Sequence, residues 1–259
     1  MRSHGFRIVF MLLFSCLTLS GCGTREKVTG LGQLAGKEFA IPTGTVTDQL
    51  VLSKLPDAKF KYFNTVLDAA LAVKAGKADA AAYDEPILQN IAAKNGGLVV
   101  LKEMITVDNY GFAVRKDNQE LKQAIDSVVK ELKNDGTTDQ MMKRWFPKTG
   151  SPAAMPKIAS TGKNGVLRLG TASVTEPFSF VDGSREVVGY DIELARYIAN
   201  KVGKRLEIVN MDFGGMIPAL MSGKVDMIAA CITITEERKK QVLFSEPYYV
   251  GGIAALVKE

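Results

Sequence analysis

Ala230-Cys231-Ile232-Thr233-Ile234-Thr235-Glu236-Glu237-Arg238-Lys239-Lys240 is the stretch whose reading decides the fold. It follows Val225 to Ala230, a mostly apolar run of the length of a buried strand. The threonines lead into Glu236 and Glu237. These two carboxylates have the look of an acid–base pair. They read better as a solvated first helical turn, where acidic side chains suit the helix dipole. Arg238 then falls on that helix.

Working outward, strands alternate with helices. Val166 to Leu169 opens one series. Asp191 to Val202 is an amphipathic helix with Ile192, Ala195 and Ile198 on one face. Leu206 to Val209 reads as a strand, Met216 to Met221 as a helix and Gly252 to Val257 as a closing strand. The earlier half repeats the alternation. Strands are expected at Glu38 to Ile41, Phe60 to Phe63, Ala78 to Ala82, Leu98 to Leu101 and Tyr110 to Arg115. Helices are expected at Thr47 to Lys54, at Thr65 to Ala75, from Asp84-Glu85-Pro86 onward, at Gln119 to Asn134, and ending at Trp145-Phe146. Alternation of this kind argues for an α/β fold with mostly parallel sheets. Lys148 to Gly165, rich in Pro, Gly, Ser, Thr and Ala, reads as a linker.

The first 21 residues read as a secretion signal. Arg2 and Arg7 precede an apolar core, Ile8 to Leu19, which is shorter than the roughly 20 residues a spanning helix needs. Leu19-Ser20-Gly21-Cys22 resembles a bacterial lipobox, in which cleavage before the cysteine leaves Cys22 to carry the lipid. Residues 22–30 then form a lipidated tether, and the expected location is outside the cytoplasm, at the membrane or in the periplasm. With Cys16 removed and Cys22 acylated, Cys231 has no partner for an intrachain bridge. The only histidine, His4, lies in the signal, which argues against His triads and His metal sites. Two of the 33 basic residues leave with the signal, so the net charge falls from +5 to +3. That mild balance, without a basic run carrying interleaved aromatics, argues against nucleic acid.

The quoted run, continued by Phe244-Ser245-Glu246-Pro247-Tyr248-Tyr249, resembles the signature of the family 3 extracytoplasmic solute-binding proteins, the polar-amino-acid receptors of ABC transporters. Met211-Asp212-Phe213-Gly214-Gly215-Met216-Ile217-Pro218-Ala219-Leu220 is similar to the glutamine-binding members, and Gly189-Tyr190-Asp191-Ile192-Glu193-Leu194-Ala195 is typical of the family. In the earlier half, Ile41-Pro42-Thr43-Gly44-Thr45, Ala78-Asp79-Ala80 with Asp84, and Gly136-Thr137 with Trp145-Phe146 resemble its other lobe and closing helix.

The chemistry agrees with the resemblance. A free amino acid presents a carboxylate and an ammonium. A bidentate Arg suits the carboxylate, and the resemblance puts Arg238 there, with Thr233 and backbone groups near Ala230 completing that end. Thr43 and Thr45 precede a helix, so their hydroxyls and the N–H groups after Gly44 offer an anion site. Asp84, beside Tyr83 at a strand end, takes the ammonium, and Phe213 supplies an aromatic wall. Each residue also has a plainer reading: Arg238 as a solvated helix residue, Thr43, Thr45 and Asp84 as caps, Phe213 as core. The chain departs from the pattern at Ala172 and Thr175, where many relatives have Asp and an aromatic, and at Pro42, where glutamine-binding members have Lys. Glu176 is placed where it could face the ligand and favour a cationic side chain.

The resemblance implies a two-lobe, type II periplasmic-binding-protein fold, circularly permuted. One lobe is expected at 31–107, the other at 108–147 joined with 166–259, with 148–165 linking the family's natural ends. A single covalent crossing is expected near Val107 to Tyr110, with Ile253 to Val257 pairing with Tyr110 to Val114. A rival view makes Glu259 the end of a truncated tandem protein. The implied function is capture of a polar amino acid by hinge closure and delivery to an ABC permease, by a monomer with no metal, cofactor or covalent chemistry. The alternative is an enzyme on the same fold, of the cyclohexadienyl or arogenate dehydratase kind. A sensor module and the binding lobe of a cell-wall lytic enzyme are weaker readings.

Overall fold

The computed structural model describes residues 27–147 and 152–259. The expected signal, Cys22 and the tether as far as Glu26 lie outside the described residues, as do residues 148–151 of the linker.

The chain begins with β1 (Glu38–Pro42), α1 (Thr47–Lys54), β2 (Lys59–Phe63), α2 (Val66–Lys74), β3 (Ala80–Asp84), α3 (Glu85–Asn95) and β4 (Leu98–Val100). Local chemistry sets these bounds. Thr65 caps α2 by accepting from the Asp68 N–H at 3.1 Å, and Val66, Ala69, Ala70 and Val73 are buried at helical spacing. Strand β3 lies two residues later than the sequence suggests, so Asp84 is its last residue. Pro86 sits in the first turn of α3.

There follow β5 (Asp108–Tyr110), β6 (Ala113–Val114), α4 (Gln119–Asn134) and α5 (Thr137–Trp145). After the linker come β7 (Val166–Thr171), β8 (Val174–Thr175), β9 (Ser179–Val181), β10 (Val187–Val188), α6 (Tyr190–Lys201), β11 (Arg205–Asn210), α7 (Met216–Met221), β12 (Met227–Ile228), α8 (Glu236–Lys239), β13 (Leu243–Phe244), β14 (Tyr249–Gly251) and β15 (Ile253–Lys258).

Two five-stranded sheets organise these elements, in the orders β2-β1-β3-β15-β4 and β11-β7-β12-β6-β13. We call them, with their helices, the first and second lobes. In the first, β1 runs parallel to β2 and β3, and β15 lies antiparallel between β3 and β4. In the second, β7 runs parallel to β11 and β12, while β6 is antiparallel to β12 and β13. Helix α5 docks on α6 through buried Glu193, which accepts from Arg144 Nη1 at 2.7 Å and from Trp145 Nε1 at 2.6 Å.

The closing strand corrects the sequence reading. Ile253 to Val257 does not pair with Tyr110 to Val114. It pairs with β3, from Ile253 opposite Asp84 to Val257 opposite Ala80. All five residues are buried, as suits a central strand. Its proposed partner is not one strand: Tyr110 to Arg115 breaks at Gly111-Phe112 into β5 and β6, which belong to different sheets. The antiparallel partner of β5 is β14, with Tyr110 opposite Tyr249 and Asp108 opposite Gly251. The chain therefore crosses between the lobes twice, side by side in the β5–β14 ribbon, rather than once. The second lobe ends near Gly251, not at Glu259.

An aromatic knot fixes the ribbon. Phe146 stacks on Tyr249 with centroids 5.3 Å apart, Phe178 meets Tyr249 edge-on at 5.0 Å, and Tyr110 stacks on Tyr249 at 5.6 Å. Gly251 is required here: a Cβ would come within 2.7 Å of the Tyr110 hydroxyl.

Candidate functional site

A cleft of about 860 Å³ opens between the lobes. The first lobe contributes Pro42 to Thr45, Asn64 to Val66 and Tyr83. The second contributes Ala172 to Thr175 and Asn210 to Gly215. Of the expected site residues, Thr43, Thr45, Tyr83 and Phe213 line this space, as do Pro42, Ala172 and Thr175, where the chain departs from its relatives. Arg238, Thr233, Ala230 and Asp84 do not line it. They are buried behind its wall.

Arg238 is 6% exposed, so it is not a solvated helix residue. Thr235 caps α8 by accepting from the Arg238 N–H at 3.2 Å, which fixes where the side chain starts. Its Nη1 donates to the Thr233 carbonyl at 2.9 Å, and its guanidinium lies 5.4 Å from the centre of the Phe213 ring. Burial pulls the Arg238 pKa below the usual guanidinium value, while Tyr83 and Asp84 push it back up. Phe213 thus lines the cleft and also faces Arg238.

Asp84, 4% exposed, makes no side-chain cap to α3, so the plain capping reading fails there. The Tyr110 hydroxyl donates to its Oδ1, and the Cys231 thiol lies 3.8 Å from Oδ2. Burial raises the Asp84 carboxyl to about 7, against lowering by the Tyr110 hydrogen bond and by Arg238. The same burial raises the Tyr83 hydroxyl and the Cys231 thiol well above their ordinary values, so neither is an activated nucleophile.

At the other rim, Thr45 Oγ1 is 3.0 Å from both the Pro42 carbonyl and Thr47 Oγ1, so its hydroxyl braces the turn before α1. The first residue before α1 is Val46, and no side chain caps that helix. Gly44 has φ +75, and its neighbour across the cleft is backbone: a Cβ there would lie 3.0 Å from Gly214 Cα. The lobes also meet at Lys94 of α3 and Glu176, whose charged atoms are 2.5 Å apart. Glu176 is thus engaged by a lysine.

Three participants were not singled out from the sequence. Tyr110 is fully buried; it forms a bridge with Thr233, donates to Asp84 and accepts from the Gly252 N–H at 3.1 Å. Asp191, at the start of α6, accepts from the Cys231 N–H at 3.0 Å. Tyr248 lies beside Asp191. The alternation pattern marks Tyr110 as inward-facing, but nothing local reports its long-range partners. Among the described residues no cluster of three or more His, Cys, Asp or Glu could hold a metal ion, and no helix is long and apolar enough to cross a membrane.

Comparison with known proteins gives the family. The arginine-binding extracellular protein ArtP of Bacillus subtilis is 42% identical over 94 residues, which is 36% of this chain and 36% of that protein. A probable histidine-binding protein of Campylobacter jejuni is 44% identical over 85 residues, 33% of each. The chain thus spans about a third of the length of these relatives. Among solved structures, an ancestral arginine-binding protein bound to arginine matches at 55% identity and a TM-score of 0.32, covering 33% of this chain and 38% of that one. The arginine-bound domain 1 of the Thermotoga maritima protein TmArgBP matches at 43% identity and a TM-score of 0.33, covering 37% and 82%. Residues 38–148 and 167–259 match the family described as bacterial extracellular solute-binding proteins, family 3. These segments take in both lobes and the ribbon between them, and the chain belongs to that family.

Proposed function

We propose that the protein captures a free polar amino acid between its lobes and hands it to an ABC permease. One observation carries the reading. A buried guanidinium in the second lobe and a buried carboxyl in the first stand behind a cleft bounded by both. A zwitterion needs such a pair, and water is excluded from it on closure. Arg238 with Thr233 and Ala230 takes the carboxylate; Asp84 takes the ammonium; Phe213 and Tyr83 form walls that shift as ligand enters.

Arginine is the first ligand to test. Relatives named for arginine and histidine are among those this chain resembles, and among the described residues the charged side chain lining the cleft is Asp212, with no Lys or Arg beside it. A thermal-shift screen of the twenty amino acids decides the matter, since a ligand that binds only the folded state raises the melting temperature. No shift with any of them defeats the reading. Delivery is tested by ligand-dependent stimulation of a permease reconstituted with the protein.

Two further parts of the reading concern the chain's arrangement. We infer export and anchoring through Cys22; wild type and Cys22→Ser should partition differently in detergent, and identical soluble behaviour removes the anchor. We infer a permuted order of the family's segments rather than a truncated tandem. A chain rearranged to place 166–259 ahead of residue 31 should bind the same ligand with comparable affinity. If it binds nothing until further sequence is added, the tandem view is right.

A further inference from the structure

Two acids from opposite lobes meet behind the cleft, and Cys231 stands between them. The Cys231 N–H donates to Asp191 Oδ2 at 3.0 Å, and its thiol lies 3.8 Å from Asp84 Oδ2. Cys231 has φ +46, a left-handed conformation that a side chain adopts only at a steric cost. Asp84 ends β3 in the first lobe; Asp191 opens α6 in the second. Both are buried, Asp191 completely.

The partners of these acids do not balance two negative charges. Asp84 faces Tyr110 from β5, Tyr83 from its own strand, the Cys231 thiol, and more distantly Asp108 and Arg238. Asp191 faces the Cys231 N–H, the Tyr248 hydroxyl and Asp84. Among the described residues neither acid has a cation within ion-pair distance. Arg238 is engaged by the Thr233 carbonyl. Asp191 Oδ1 and the Tyr248 hydroxyl are buried side by side, but their contact falls short of a well-formed hydrogen bond; the hydroxyl facing the carboxylate lowers the Asp191 pKa against the larger, raising effect of burial. A buried carboxylate with no cation takes up a proton instead of remaining charged, and two such groups titrate as a pair.

We propose that Asp84 and Asp191, bridged by Cys231 at the junction of the lobes, form a shared proton site that is occupied in the ligand-free protein and emptied when an ammonium group settles against Asp84. The second half rests on the amino-acid reading above. Burial, chiefly, raises each carboxyl to about 7, with the Asp84 charge a lesser contributor at Asp191. An ammonium beside Asp84 favours its ionised form. Below about pH 7 the ligand therefore displaces a proton, and affinity falls about tenfold for each pH unit until the bound-state value is reached. The folded state also holds more protons than the unfolded chain between the ordinary carboxyl value of 3.8 and about 7. Stability from these groups is complete at low pH and is lost as pH rises through about 7.

Infrared spectroscopy of the ligand-free protein reads the proton directly. A protonated-carboxyl band should be present at acid pH, fade as pH is raised through neutrality, and be weaker in Asp191→Asn, which keeps the bond from the Cys231 N–H. The melting temperature of wild type should fall over the same range, and that of Asp191→Asn should fall less. Calorimetry of amino-acid binding below neutrality, in two buffers of different ionisation enthalpy, should show release approaching one proton. No such band, an undiminished band in Asp191→Asn, or buffer-independent binding overturns the proposal. If the band behaves as expected but no amino acid binds, the proton site stands and the functional reading falls.

Discussion

The two charged groups behind the cleft are mounted in different ways. Arg238 depends on its own lobe: Thr235 fixes the start of α8, Thr233 accepts from the guanidinium, and Phe213 lies across it. Asp84 sits at the end of a central strand of the first lobe, yet its partners come from outside that sheet, Tyr110 from the ribbon and Cys231 from the second lobe. The difference lies in where each mount comes from: the Arg238 mount is built within one lobe, while the Asp84 mount draws on both. Preorganised groups give affinity because little is lost in ordering them, and a group held from both lobes couples a ligand to the conformational equilibrium.

The sharpest way to break that comparison is Arg238→Ala. Removing one partner of a buried charge pair costs roughly 3–5 kcal/mol because the other is left unpaired. Calorimetry should find amino-acid binding lost, with the circular dichroism spectrum unchanged. Arg238→Lys should recover part of it, because an ammonium keeps the charge and loses the fork. Binding close to wild type in Arg238→Ala would falsify the carboxylate receptor.

Asp84→Ala should weaken binding somewhat less than Arg238→Ala, since the neighbouring acceptors around Tyr110 and Cys231 remain. Because Asp84 is held from both lobes, the loss should appear mainly as faster dissociation, measured by stopped-flow fluorescence of Tyr and Trp groups. An equal loss in both rate constants, or a loss exceeding that of Arg238→Ala, would overturn the contrast between the two mounts.

Most of the fold was legible because burial and period are local. The residues Val66, Ala69, Ala70 and Val73 announce α2, and the apolar run of Ile253 to Val257 announces a strand. Its partner was not legible. A strand buried on both faces carries no side preference, so its sequence says that it is central and not which sheet it joins. The short β8–β9–β10 meander was missed because strands of two or three residues are defined by their pairing, not by a pattern. The site divides in the same way. Arg238 and Asp84 stood out through motif and strand end. Asp191 and Cys231 did not stand out as a connected pair of groups, because their contacts join positions 40 and 147 residues apart.

A smaller effect is expected where the backbones of the lobes meet. Gly44 has φ +75, and a Cβ there would press on Gly214 Cα at 3.0 Å. Left-handed geometry costs a side chain roughly 1–2 kcal/mol, and the contact falls on the closed state. Gly44→Ala should lower the melting temperature by a few degrees and weaken binding by about tenfold. Gly214→Ala is the control from the other lobe. Its Cβ would lie 3.5 Å from Gly44 Cα, an ordinary contact, so its effect should be small. Equal effects of the two would locate the constraint in the turn chemistry of each loop and not in their approach.

The smallest effect belongs to the ion pair that joins the lobes at the rim. Lys94 and Glu176 are 2.5 Å apart, but the lysine is 57% exposed and the glutamate 23%, so water screens them. Such pairs contribute at most about 1 kcal/mol, or about fivefold in affinity. Lys94→Glu and Glu176→Lys should each weaken binding by no more than that at low salt. The double exchange should restore it, and all four proteins should converge near 1 M salt, where the screening length is about 3 Å. The exchange also separates two roles for Glu176. As a partner of Lys94 alone, it should leave the ratio of affinities for arginine and glutamine unchanged in the double exchange. As a group that reads the ligand's side chain, it should carry that ratio with it, and Glu176→Lys should then disfavour arginine even when Lys94 is also reversed.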